Sequence, residues 1–212
     1  MRRGRPRLRA GKPARRASKP ARRAAGSRAN GRGLSSALGP LAAVLAEVSP
    51  SELDAFERML LGARRIFVTG LGRTGLMARG FAMRLMHLGR RVYHVGDVIT
   101  PAIRRGDVLV ICSRTGRSPV LRYYVDIAKK ADARVAVVTG VRASPVARRA
   151  DAVVLLASEK AARRGGPRAP VLPLGSLYEQ ALLLVTDAVI AHLMTALGLS
   201  AEDLRRIHTT FE

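Results

Sequence analysis

Residues 65–89, RIFVTGLGRTGLMARGFAMRLMHLG, carry the clearest sign of the fold. A short β-branched and aromatic run stops at Gly70, and the rest repeats apolar residues at helical spacing until Gly89. Short apolar runs of the same kind recur at 91–95, 107–113, 134–140 and 152–158. Fully apolar strands that alternate with helices are typical of a parallel sheet covered on both faces. We therefore predict an α/β fold: a doubly wound, five-stranded parallel sheet flanked by helices, in a flavodoxin-like order.

Helices are predicted around these strands by apolar spacing and by capping residues. Ser49 and Pro50 begin one helix, Ser118 and Pro119 another, and Ser200 caps the last. The pattern over 176–197 is apolar on most of its circumference, which favours packing between subunits. The main helices are expected at 35–48, 50–62, 119–132 and 176–197, with shorter ones at 144–151 and after 200.

The first 33 residues are strongly basic. They hold thirteen of the 38 Lys and Arg, no acid, and few large apolar groups, in a chain of formal net charge +23. Such a composition buries too little surface to offset chain entropy. We expect residues 1–33 to be a disordered basic tail and residues 34–212 to form one domain. The tail would bind nucleic acid or anionic lipid nonspecifically; alternatively it is a solubilising extension, a translation start assigned too early, or an organelle transit peptide.

Composition narrows the environment of the protein. The single cysteine, Cys112, excludes an internal disulfide and a multi-cysteine metal site, as in a reducing cytoplasm. The tail has no apolar core of a secretory signal, and no uninterrupted apolar run reaches the roughly eighteen residues of a membrane span. We expect a cytoplasmic protein with no membrane contact and no metal, because no His, Asp or Glu spacing indicates a metal site.

Two loops end a strand and begin a helix, where doubly wound sheets bind ligands. The first, GLGRTG at 70–75, matches the G-x-G-x-x-G pattern of dinucleotide sites. A dinucleotide site also needs an acid at the end of the second strand, and Asp97 begins a loop there instead. We favour the more general interpretation that backbone N–H groups around Gly72 and a helix dipole bind an anion.

The second loop, SRTGRS at 113–118, adds hydroxyl groups to the free amides. Ser113, Thr115 and Ser118 surround Gly116, which suits a phosphate monoester without a metal. The alternative is that these groups only cap a helix and close a turn. Two adjacent loops of this kind favour phosphate binding.

Three longer segments resemble the 6-phospho-3-hexuloisomerase family, a branch of the sugar isomerase (SIS) domains. They are FVTGLGRTGLMARGFAMRLMHLGRRVYHVGDVITPAI, DVLVICSRTGRSPV and PLGSLYEQALLLVTDAVIAHLM, and the resemblance spans about residues 37–212. It implies a homotetramer without a cofactor that interconverts D-arabino-3-hexulose 6-phosphate and fructose 6-phosphate through an enediol. The family acts in formaldehyde fixation, the ribulose monophosphate pathway, or in pentose supply.

The resemblance also assigns roles to residues. Glu179 matches the family's catalytic base, although a first-turn acid also stabilises its helix through the dipole. His208 and His87 match residues expected to act on the site of a neighbouring subunit; alternatively, His87 only interacts with the C-terminus of its own helix. Arg73 and Thr74, with Gly72, would complete the sugar-phosphate pocket, unless Arg73 pairs with a carboxylate such as that of Asp97. His94 and His192 are expected to be structural.

The second loop departs from the family pattern S-G-S-G-E-T at two positions. Arg114 replaces a glycine and brings a Cβ to a place where unusual backbone dihedrals would strain it. Arg117 replaces a glutamate beside the substrate, where it would bind phosphate and tighten ground-state binding without speeding the reaction. Arg117 and the basic tail motivate one alternative, a sugar-phosphate sensor without turnover. Another is an isomerase of a different phosphosugar such as arabinose 5-phosphate, against which the short segment between the second and third strands argues.

Overall fold

A computed structural model describes residues 30–158 and 175–211. Its strands are β1 (Ile66–Gly70), β2 (Val92–His94), β3 (Val108–Ser113), β4 (Arg134–Thr139) and β5 (Ala152–Leu155). Its helices are α1 (Asn30–Ala46), α2 (Pro50–Leu61), α3 (Gly72–His87), α4 (Pro119–Lys130), α5 (Ser176–Leu197) and α6 (Ala201–Ile207), with one 3-10 turn at Ala147–Arg149.

The five strands form one parallel sheet in the order β2-β1-β3-β4-β5, so the predicted fold class is confirmed. The register places Gly70 of β1 beside Cys112 of β3, and Ser113 beside Thr139 of β4. The carboxyl ends of the three central strands therefore lie at one edge of the sheet. Both glycine- and hydroxyl-rich loops leave the sheet at this edge.

Alternate residues of β3 enter two different cores. Val108, Val110 and Cys112 pack under α1, α2, α3 and α5, whereas Leu109 and Ile111 pack under α4. All six residues of the strand are buried. A central parallel strand is covered on both faces, which explains why its sequence is apolar throughout rather than alternating.

Helix ends agree with the predictions except at three places. Helix α1 begins at Asn30, inside the segment assigned to the tail, and the predicted helix 144–151 is only a 3-10 turn. Ser49 is at the N-cap of α2, but its hydroxyl contacts Ser51 Oγ at 2.9 Å rather than a backbone N–H. Ser200 forms a full capping box with Asp203, as expected. Most of the predicted tail, and the link at 159–174, lie outside the described residues.

Helix α5 is the central helix of the larger core. Half of its 22 residues are buried, and the hydroxyl of Tyr178 donates to the Val138 carbonyl of β4 at 2.8 Å. Among the described residues, this is also the one helix long and apolar enough to cross a membrane by length and composition alone. Core helices pass the same test. Its predicted packing between subunits stays a prediction.

Candidate active site

Close backbone packing shapes the first loop. A Cβ on Gly75 would lie 2.6 Å from the Gly70 carbonyl oxygen, and a Cβ on Gly70 would lie 3.1 Å from the Cys112 carbonyl oxygen. Gly72 has a φ of 57°, a left-handed conformation that glycine adopts without strain. Glycines at these positions let the first turn of α3 approach the end of β1, with its N–H groups at the edge of the sheet.

The second loop is a tight turn closed by Ser113 and Gly116. The N–H of Gly116 donates to Ser113 Oγ at 3.1 Å, and Gly116 has a φ of 58°. A Cβ on Gly116 would lie only 2.1 Å from Ser144 Oγ, so no other residue fits. The expected backbone strain at Arg114 is absent, because Asp132 is the one described residue other than glycine with a positive φ.

Two hydroxyls of this loop have no structural partner. Ser118 occupies the N-cap of α4 ahead of Pro119, yet its side chain makes no capping hydrogen bond. Neither Ser118 nor Thr115 bonds through its hydroxyl to any part of the chain that the structure describes. The interpretation that these groups only cap a helix and close a turn therefore accounts for Ser113 alone, which closes the turn. Hydroxyls left without a partner beside free amides are suited to an anionic ligand.

A cleft of about 210 Å³ lies between the two loops. The first loop contributes Leu71 and Thr74, and α4 contributes Leu121. The floor and remaining wall come from the second loop and the strand before it: Cys112, Ser113, Arg114, Thr115 and Ser118. Arg117 is exposed and lies outside this lining.

Glu179 lies in the first turn of α5 and is 8% exposed. Arg73 Nε of the first loop lies 2.8 Å from Glu179 Oε2, and Arg73 Nη1 donates to Ser176 Oγ at 3.3 Å. The contact with Glu179 has the distance but not the direction of a hydrogen bond, and Oε2 has no other partner among the described residues. Burial raises the pKa of the neighbouring Tyr178 phenol, which stays a neutral donor to β4 and holds this turn in place.

Two questions about the first loop were open: which carboxylate pairs with Arg73, and whether the loop binds a dinucleotide. Arg73 pairs with Glu179, not with Asp97, whose carboxylate instead receives two guanidinium contacts from Arg79 at 2.8 and 3.3 Å. The Arg79 hydrogen bond and charge lower the pKa of Asp97. An acid already engaged in this way does not offer the free carboxylate that a ribose would require, which argues against dinucleotide binding.

The two candidate histidines meet each other but not Glu179. The ring centroids of His87 and His208 lie 4.9 Å apart; His87 is buried and His208 is exposed. His87 ends the 16-residue helix α3, whereas the cleft lies at its beginning. A helix of that length separates its ends by about 24 Å. Within one chain the histidines are therefore remote from the cleft.

Sequence reasoning missed three residues that shape the site. Gly175 lies against the Arg114 side chain, Ser176 binds Arg73, and Ser144 fills the space beside Gly116. The position of Gly175 and Ser176 just before Glu179 was a usable signal. Ser144 lies in a different loop, and nothing in its sequence surroundings indicates the contact.

A hydroxyl-rich cleft at the carboxyl edge of this sheet suits a phosphosugar, and the model of the SIS domain family matches residues 59–184. A 3-hexulose-6-phosphate isomerase from Bacillus subtilis is 36% identical over 167 residues, covering 79% of this chain and 90% of the relative. Another 3-hexulose-6-phosphate isomerase, from Mycobacterium gastri, is 39% identical, and the match covers 79% of this chain and 83% of the relative. The chain belongs to the SIS domain family and, within it, to the family of these isomerases.

A solved structure agrees with this assignment. A protein from Methanococcus jannaschii superposes on this chain with a TM-score of 0.74. Its crystal structure led to the inference that it is a 3-hexulose-6-phosphate isomerase. It is 27% identical, and the match covers 85% of this chain and 99% of that protein. The resemblance found in the sequence is therefore confirmed.

Proposed function

We propose that this chain is an isomerase that interconverts D-arabino-3-hexulose 6-phosphate and fructose 6-phosphate. The carrying observation is that the hydroxyl-rich turn and the buried carboxylate of Glu179 lie at the same edge of the sheet. Arg114 of that turn borders Gly175, four residues before Glu179, and Arg73 of the first loop contacts the carboxylate. Membership of the isomerase family supports the same activity.

The second loop binds the substrate phosphate in this proposal. Thr115 and Ser118 donate their hydroxyls, the Ser113 hydroxyl donates while accepting from Gly116, and the amides of the turn complete the site. The first turn of α4 adds a positive helix dipole. Thr74 lies across the cleft on the side of the sugar, with Gly72 and Arg73 beside it in the same loop. Arg117, exposed outside the lining, adds positive charge to the approach of the substrate.

Glu179 is the base. Moving a carbonyl from carbon 3 to carbon 2 requires a proton to leave one carbon and return to its neighbour. Oε2 is buried and receives no hydrogen bond from any described residue, so a lone pair is available for that proton. Arg73 holds the carboxylate at 2.8 Å and balances its charge.

His208 and His87 act in this proposal on the site of a neighbouring subunit in a homotetramer, where they aid ring opening. Their distance from the cleft in their own chain supports an arrangement of this kind. The reaction takes place in the cytoplasm, and the basic tail adds a nonspecific contact with nucleic acid. Sedimentation of the native chain tests the tetramer, and salt-dependent binding to duplex DNA tests the tail.

An assay that couples fructose 6-phosphate formation to a dehydrogenase tests the activity. Glu179→Gln keeps the shape of the side chain and should lower kcat by at least about 100-fold. Asp54→Asn, an exposed change on helix α2, should leave kcat unchanged. No turnover by the folded wild type, or equal activity of the Glu179 variant, refutes the proposal.

Thermal-shift titration with fructose 6-phosphate separates the alternatives. Stabilisation together with turnover identifies an enzyme, whereas stabilisation without turnover identifies a sensor. A parallel assay with arabinose 5-phosphate tests the other substrate.

A further inference from the structure

We infer that Arg114 is a further catalytic residue of this site: its guanidinium binds the two oxygens of the enediolate beside Glu179. This inference rests on the proposed isomerase activity. It concerns a residue that departs from the family pattern, in which a glycine stands at this position.

The main chain at Arg114 is held without strain. The Arg114 carbonyl accepts from the Gly140 N–H at 3.0 Å, and a Cβ on Gly140 would lie 2.8 Å from that oxygen. The left-handed residue of the turn is Gly116, so Arg114 keeps an ordinary backbone conformation. The replacement of a glycine therefore leaves the phosphate turn intact and adds a long side chain that starts from a fixed point.

That side chain runs along the wall of the cleft toward the base. Arg114 Nε and Cδ lie 3.2 and 3.3 Å from the point that a Cβ on Gly175 would occupy. Glu179 Oε1 lies 3.7 Å from the same point. Because Gly175 has no side chain, Arg114 Nε and Glu179 Oε1 border the same small space at the start of α5.

This position matches the reacting carbons rather than the phosphate. The phosphate is held at the turn from which Arg114 starts, so the arginine and a phosphosugar extend from the same place toward Glu179. The far end of the side chain then lies level with carbons 2 and 3.

The chemistry at those carbons calls for a planar pair of donors. Glu179 takes the proton from carbon 2, the C–H electron pair forms the C2=C3 bond, and the carbonyl π electrons move to O3. A cis-enediolate presents O2 and O3 side by side, much as a carboxylate presents its two oxygens. An arginine fork fits such a pair bidentately, and a lysine does not. The proton on O2 then passes to O3 as Glu179 returns its proton to carbon 3.

Charge balance supports the same role. Proton abstraction moves the negative charge from Glu179, where Arg73 already balances it, to the substrate oxygen. A second guanidinium at that oxygen is preorganised for charge that appears only on reaction.

Three variants test the inference. Arg114→Ala should lower kcat by about 100-fold while KM changes by less than about threefold. Arg114→Lys keeps the charge but should recover only part of kcat. The matched control, Arg122→Ala, removes one exposed arginine from the neighbouring helix α4 and should leave kcat unchanged.

Inhibitor binding gives a readout that a purely structural role would not move. A phosphorylated hydroxamate mimics the planar cis-enediolate, whereas a hexitol 6-phosphate carries the phosphate and neutral hydroxyls on tetrahedral carbons but no planar, anionic oxygen pair. Arg114→Ala should weaken the hydroxamate by about the same factor as kcat and leave the hexitol phosphate unchanged. Thermal melting of each variant checks folding. If Arg114→Ala is unstable, Arg114→Gly, which restores the glycine of the family pattern, replaces it.

The outcomes distinguish the inference from the proposed function. If the wild type is active and the kcat of Arg114→Ala is equal or higher, the inference is wrong but the proposed function stands. The Arg114 side chain then merely narrows the cleft. If Arg114→Ala weakens the binding of both inhibitors equally and changes only KM, Arg114 is a phosphate ligand. This result also overturns the inference. A folded wild type without turnover removes the proposed activity, and the inference with it.

Discussion

Arg73 Nε lies 2.8 Å from Glu179 Oε2 and joins the first turn of α3 to the first turn of α5. The same guanidinium contacts Ser176, which is 103 residues away along the chain. Arg73 of the first loop therefore positions the candidate base, Glu179, in addition to its expected role in the sugar-phosphate pocket. The pairing explains how a carboxylate that is only 8% exposed is kept in its charged form next to the first loop.

Removing Arg73 should impair the chemistry more than the fold. Arg73→Ala leaves the Glu179 carboxylate without its counterion, so kcat/KM should fall by about 10- to 100-fold. Arg73→Lys should be intermediate, because the charge is kept and the position of Nε is lost. Steady-state kinetics of both variants with hexulose 6-phosphate provides the measurement. Wild-type kinetics in Arg73→Ala would mean that Glu179 needs no partner.

Gly116 should tolerate no side chain. Gly116→Ala forces an alanine to a φ of 58° and places its Cβ 2.1 Å from Ser144 Oγ. The free energy of unfolding should fall by about 2–4 kcal/mol, measured by urea denaturation. Gly80→Ala in α3 is the control, since no heavy atom lies within 4 Å of its added Cβ. It should be neutral or stabilising by up to about 1 kcal/mol. Similar losses in both variants would contradict this account of the turn.

Cys112 should be inert in the folded protein although it borders the cleft. It is fully buried, and burial raises the pKa of its thiol to about 12, so almost no thiolate is present at neutral pH. Titration with a thiol reagent should give no reaction in buffer and one equivalent in concentrated guanidinium chloride, because the chain has one cysteine. Rapid labelling without denaturant would show that this edge of the sheet opens.

Asp107 should make stability depend on acid pH. Burial of its side chain opposes ionisation, but the hydrogen bonds from Arg65 and from the Arg104 N–H, with nearby charges, hold its pKa below its usual range. A lowered pKa means that this stabilisation is complete above the unfolded value of about 3.9 and is lost as the pH falls through the folded value. Asp107→Asn should cost about 3 kcal/mol at neutral pH.

Urea denaturation of both proteins between about pH 5 and pH 3 tests the sign. The wild type should lose more stability over this range than Asp107→Asn does. Asp126→Asn, which breaks an exposed ion pair with Arg149, should change stability by less than about 1 kcal/mol. Parallel acid curves for the wild type and Asp107→Asn would rule out Asp107 as the source of the pH dependence.

The identity of the strands was predictable because their signal is local, and their flavodoxin-like order was expected from the right-handed crossovers of a doubly wound sheet. β1 and β3 read as unbroken apolar runs, and each is followed by a glycine-containing loop and a helix. The short strand β2 and the turn at Ala147–Arg149 have weaker patterns, so their ends were predicted less accurately. Membership of the isomerase family was also readable, since its motifs are contiguous.

The amino-acid sequence alone determined the doubly wound sheet, the two loops at its carboxyl edge and the residues offered there, because periodicity, glycines and hydroxyls act over a few neighbouring positions. Only the tertiary structure decided which of these residues meet. It paired Arg73 with Glu179 rather than with Asp97, placed Arg114 against Gly175, and brought His87 to His208 away from the cleft. Such contacts join distant parts of the chain, so they depend on strand order and helix packing rather than on local pattern.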